Sequence, residues 1–122
     1  MTDKPRQDLA ARAFKLAEYV FKLYPRLAVC SPAHKHLAYQ LLKAASSIGA
    51  LIEEAMVANS RRDMAAKYAI SLREARESSY WSRLGATDPK WTDELAFVTR
   101  ESNEFVAMLT VSVRKLRAKP SA

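Results

Sequence analysis

Glycine is nearly missing from this chain, at two residues in 122, and cysteine is down to one. So little glycine leaves almost no material for the tight positive-φ turns of an antiparallel sheet. No stretch shows the apolar and polar alternation of a strand. The lone Cys30 excludes an intrachain disulfide and a Cys-rich metal site, which agrees with a reducing compartment. Long apolar runs are missing too: no window approaches the roughly eighteen uninterrupted apolar residues of a membrane span. The opening MTDKPRQDLAARAF carries charges where a signal peptide would need its apolar region, so a soluble, cytoplasmic protein with no membrane partner is expected.

What the chain has is helix-forming material, rich in alanine and 49% hydrophobic, in a length that suits one domain over residues 1–122. Twenty Lys and Arg stand against thirteen Asp and Glu, a formal charge of +7. Such a surface suits an acidic partner, nucleic acid or protein, or serves solubility alone, and charge by itself does not choose among them.

Four helices are expected, at about 8–24, 32–58, 61–84 and 89–118. In the first, Leu9, Ala13, Leu16, Val20 and Leu23 share one face, and Pro25 is expected to end it. Ser31-Pro32 is an N-cap followed by proline at the first helical position. The second helix then shows Leu37, Leu41, Ala44, Ile48, Leu51 and Ala55 at alternating steps of four and three. That stripe carries Gly49, read as a point of close helix approach. Ser60-Arg61-Arg62-Asp63 has capping-box spacing and opens the third helix, for which Gly85 suits a stop. Asp88-Pro89 repeats the cap-then-proline start. The fourth helix has the cleanest heptad: Trp91, Leu95, Val98, Ser102, Phe105, Leu109, Ser112 and Leu116. Connections this short imply an all-α, antiparallel up-down-up-down four-helix bundle.

The third helix carries a second message. Met64, Tyr68, Leu72 and Ala75 lie on one side, whereas Ile70, Trp81 and Leu84 cluster on another. Either a neighbouring subunit covers that second face or Trp81 and Leu84 fold over the bundle end; self-association is the expectation, with these three residues at the interface.

Three segments together carry a resemblance: SSIGALIEEA (46–55), the capped start NSRRD, and SLREARESSYWSRL (71–84). In order and motif the chain resembles the bacterial four-helix-bundle proteins encoded within 23S rRNA intervening sequences, sometimes labelled S23 proteins. The resemblance implies a four-helix bundle in a ring-shaped homo-oligomer, commonly a pentamer. It also brings in a protein similar in fold and charge, the accessory variability determinant of diversity-generating retroelements, which works with a reverse transcriptase and nucleic acid. The SIGA-x-x-EEA and YWSRL runs favour the intervening-sequence branch.

Two basic strips are the candidate binding residues. Arg12, Lys15, Tyr19 and Lys22 fall in one narrow strip on the first helix, where a basic row with an aromatic can hold phosphates and stack a base. On the third helix, Arg62, Arg73, Arg76, Tyr80 and Arg83 span less than a quarter turn. Their guanidinium forks suit phosphate or carboxylate equally, so RNA, DNA or an acidic protein such as a reverse transcriptase or nucleotidyltransferase all fit. For Arg76 a structural pairing with Glu53, Glu54, Glu74 or Glu77 is the stronger expectation. Arg114, Lys115, Arg117 and Lys119 add a basic end that frays after Pro120.

Chemistry is mostly excluded by absence. Glu53 and Glu54 sit on opposite flanks of the second helix and cannot converge as acid and base. No Glu-x-x-His pair exists for a di-iron bundle, and His34 and His36, two apart, face different ways. Neither a Gly-rich phosphate loop nor a serine-nucleophile motif is present, and no arginine stands a turn or so before either histidine, as some helical nucleases require. A non-enzymatic binding module with no cofactor and no metal is the expectation.

Overall fold

The computed structural model describes residues 4–118. Four helices account for almost all of them: α1 (Lys4–Ala28), α2 (Pro32–Met56), α3 (Arg61–Gly85) and α4 (Thr92–Arg117), with no strand among the described residues. No helix among them is long and apolar enough to cross a membrane.

The starts form for the reasons their sequences give. Ser31 accepts a hydrogen bond from the His34 amide at 3.1 Å and Ser60 accepts one from the Asp63 amide at 3.0 Å, so each answers an N–H that the first turn leaves without a partner. The other boundaries shift from expectation. Pro25 does not end α1, which runs on to Ala28. Proline costs about 3 kcal/mol inside a helix. Continuing the helix buries Leu27, the next member of the Leu16–Val20–Leu23 stripe, and sets Arg26 on Glu94 at 2.7 Å. Asp88 does not cap α4. Its carboxylate instead accepts from Lys90 N at 3.0 Å and pairs with His34, and α4 begins at Thr92 after the turn that Trp91 N closes onto Asp88 O. At the C-terminus, Lys119 and Pro120 lie outside the described residues.

Leu16, Val20 and Leu23 of α1, Leu41, Ile48 and Ile52 of α2, and Leu95, Phe105 and Leu109 of α4 make the bulk of the core. The last part of the α4 stripe rotates: Val113 is buried, whereas Ser112 and Leu116 are only half-buried. α3 contributes almost no bulk. Beside Tyr68 its buried face is Ala65, Ser71, Ala75, Ser78, Ser79, Ser82 and Gly85. Small side chains let α3 lie close to both α2 and α4, whereas α1 and α4 come near each other at few positions.

Contacts pair early positions of one helix with late positions of the next. Ser71 Oγ donates to Ile48 O at 2.9 Å, Ser78 and Ser102 share a 2.8 Å hydrogen bond, and Arg61 donates to the carbonyls of Leu116 and Lys115 at 2.9 and 2.7 Å. Gly49 is where α1 and α2 close: a Cβ there would stand 3.2 Å from Ala13 Cβ. Gly85 serves the same end rather than a left-handed stop, since no glycine has positive φ and a Cβ would meet Leu95 Cδ1 at 2.5 Å and Leu37 Cδ2 at 3.2 Å.

Candidate nucleic-acid interface

The two basic strips have different fates. On α1, Arg12 faces inward across the seam to α4, where Nε and Nη2 donate to the two carboxylate oxygens of Glu101 at 2.9 and 2.8 Å. Its guanidinium also lies 5.8 Å from the Phe105 ring centroid. Tyr19 donates to Glu94 O at 3.1 Å and packs on Phe97 with ring centroids 4.7 Å apart; burial pushes its hydroxyl above the usual tyrosine range. Lys22 pairs with Glu18 one turn earlier at 3.3 Å, and Lys15 is left exposed. The strip is therefore not one surface: its arginine and tyrosine hold α1 to α4. Arg26, which helical spacing does not single out, does the same through Glu94 and lies 5.6 Å from the Trp91 ring centroid.

The α3 strip faces out. Arg62 and Arg73 are exposed; Arg62 joins Arg61, Leu116 and Arg117 around a cleft of about 560 Å³ at one end of the α3–α4 pair. Arg76 and Arg83 line a second cleft of about 410 Å³ with Ser79, Asn103 and Val106. Arg83 also borders a third, of about 390 Å³, with Thr99 and Arg100. No carboxylate lines any of the three, and Arg76 forms no ion pair with its own chain among the described residues. The pairing expected for it with Glu53, Glu54, Glu74 or Glu77 is thus not made within the chain among the described residues. Of its expected partners, Glu54 takes Lys67 at 3.5 Å, and Glu74, held above the ordinary carboxylate range by burial and by Glu77, is influenced by Lys43 and Arg73.

Asn103 and Arg100 were invisible as site residues because α4 reads as a core heptad. Their signal is the polar spacing Arg100, Asn103 on the face opposite Phe105. Ser79 Oγ donates to Asn103 Oδ1 at 2.8 Å, which leaves the amide NH2 as a donor, and Arg83 Nε donates to Ser79 O at 3.2 Å. Around Arg76, Arg83 and Asn103 the groove thus offers donors, the complement of an anion.

A family model of the 23S rRNA-intervening sequence protein matches residues 6–111 of the chain. The chain belongs to that family. Among solved structures, the chain is similar to a protein of unknown function from the S23 ribosomal protein family of Bacteroides thetaiotaomicron VPI-5482. The two share 28% identity and a TM-score of 0.76, over 86% of this chain and 97% of that one. A comparison with curated proteins gives no match.

The chain has one further polar constellation. Ser31 Oγ lies 2.7 Å from His34 Nδ1, and His34 Nε2 lies 2.9 Å from Asp88 Oδ2. The hydrogen bond from His34, first among its causes, holds the Asp88 carboxyl below its ordinary range. His34 and Asp88 line a cleft of about 590 Å³ with His36, Leu37, Trp81 and Leu84, but Ser31 does not. Its hydroxyl is held at the helix end by the amide it caps, so the trio fastens the start of α2 to the loop before α4. Of the expected interface residues, Trp81 meets His36 edge to face at 5.7 Å, Leu84 is 46% exposed and Ile70 is half-buried.

Proposed function

We propose that the protein is a non-enzymatic, cytoplasmic, oligomeric binding module that holds RNA or DNA in the α3–α4 groove with little sequence preference. Its subunit is read as an antiparallel up-down-up-down bundle, which the pairings of Ser71 with Ile48 and Ser78 with Ser102 support, and its assembly as a ring, with five copies favoured. The observation that carries the reading is the groove of Arg76, Ser79, Arg83 and Asn103, which is cationic, donor-rich and without a carboxylate in its lining. Guanidinium forks grip phosphates wherever they occur along a backbone, so such contacts position a strand without reading its bases.

Gel retardation of a short RNA or DNA over a salt series tests this. The expected result is retardation at low ionic strength, with an affinity that falls linearly on logarithmic axes as salt rises. Replacing Arg76 and Arg83 together by alanine lowers that slope by about two, one for each phosphate no longer gripped, while Lys15→Ala changes it less. No retardation at low salt refutes the reading. A second reading is an adaptor for an acidic enzyme such as a reverse transcriptase or nucleotidyltransferase. It is favoured by Arg12 on Glu101 and Arg26 on Glu94, where arginines of this chain already take carboxylates fork to fork. A protein that stays bound after nuclease treatment during purification from the native cell supports the adaptor.

A further inference from the structure

Resting on the nucleic-acid reading of the groove, we propose that its ligand is single-stranded, with a phosphate between Arg76 and Arg83 and an unpaired base stacked on Tyr80. Steps of four and three put Arg76, Tyr80 and Arg83 on one face of α3. Tyr80 is 53% exposed, so its ring is accessible to a ligand beside the two arginines. The ring is also held in place: Trp81 meets it edge to face at 5.3 Å and 83°, and the Arg83 guanidinium lies 5.9 Å from its centroid.

The donors beside it are fixed as well. Arg83 commits Nε to Ser79 O at 3.2 Å and to Ser79 Oγ at 3.4 Å, which sets the plane of the guanidinium and leaves its terminal nitrogens without a bond to the described residues. Ser79 Oγ in turn orients Asn103, whose NH2 is left to donate. An anion in this groove therefore meets, at Arg83 and Asn103, donors that need no rearrangement, next to an exposed aromatic ring. A duplex satisfies the donors but keeps its bases inside the stack. An acidic peptide satisfies the donors and has no use for the ring. A single strand uses both, as base-on-aromatic platforms do.

Fluorescence anisotropy on the full chain at low salt decides it, with a labelled mixed-sequence DNA strand, the same strand annealed to its complement, and polyglutamate. The strand alone binds more tightly than the duplex. Tyr80→Ala weakens the single strand about tenfold and leaves the duplex unchanged, whereas Tyr80→Phe keeps the wild-type affinity. Equal binding of strand and duplex, or an equal effect of Tyr80→Ala on both, overturns this inference and leaves the basic groove standing. Binding to polyglutamate alone, or to none of the three, overturns the inference and the nucleic-acid reading together.

Discussion

Arg12 shows how one side chain changes meaning when its neighbour is known. By spacing it belongs with Lys15 and Lys22 as wet cationic surface. In the fold it makes a two-pronged bond to Glu101 and lies near Phe105. The Arg12 hydrogen bond, outweighing the opposite effect of burial, holds the Glu101 carboxyl below its ordinary 4.5. A group whose folded pKa is depressed stabilises the fold fully above its unfolded value and loses that contribution as pH falls through the folded one. The pair is partly exposed, so its coupling should be about 1 kcal/mol at neutral pH. Thermal melts of the wild type and Glu101→Gln should differ at neutral pH and converge as the pH drops below 4.5. A gap that stays constant across that range means that Glu101 acts through packing and not through its charge.

The hydroxyl face of α3 is the element that sequence patterns conceal. Ser78 pairs with Ser102 and Ser82 with Thr99, each at 2.8 Å, so α3 and α4 are joined by a ladder of side-chain bonds that runs from the core at Ser78 to the partly buried Thr99. Removing one member of a buried pair strands the other. Ser78→Ala should therefore cost about 1–2 kcal/mol, and Ser78→Ala with Ser102→Ala together less than the sum of the two single changes. Chemical denaturation of the three variants measures this, and strict additivity would show that the ladder bonds are not coupled. The stripes of α2 as far as Ile48 and of α4 as far as Leu109, the caps at Ser31 and Ser60 and the close approach at Gly49 were legible because each is a local pattern with one physical meaning. Beyond those points, Ile52 and Val113 are buried rather than Leu51 and Ser112. The α3 serines were not, since a serine in a helix looks like surface until the hydroxyl facing it, some twenty residues away, is known. The same holds for Pro25. Its local effect is to stop a helix, and what carries α1 past it is the burial of Leu27 and the pull of Glu94 on Arg26. Of the site, the α3 arginines and Tyr80 were readable by angle, but Asn103 and the paired state of Arg12 depend on which helix lies opposite.

Across the whole molecule, the seams divide the labour. The α1–α4 seam is closed by charge pairs, the α3–α4 groove keeps its arginines open, and the edge of α3 next to α2 presents Ile70, Trp81 and Leu84. The last of these is the face on which a second copy is proposed to sit, because Trp81 and Leu84 flank an apolar cleft of about 590 Å³ there. Neither residue belongs to the fully buried core, so a charge there leaves the bundle its stripes. Trp81→Glu should keep nearly all helicity by circular dichroism and convert the assembly to single subunits by light scattering. Trp81 also props Tyr80, so Leu84→Glu is the cleaner companion: it should dissociate the assembly with the groove intact. On the proposed reading, each released chain should still bind phosphate through Arg76 and Arg83, but a long strand should lose the gain that comes from several linked grooves. Binding of a long strand should fall far more than binding of a strand short enough to occupy one groove. A wild-type protein that is already monomeric, or a Leu84→Glu variant that stays assembled while both lengths weaken alike, would remove this face from the interface.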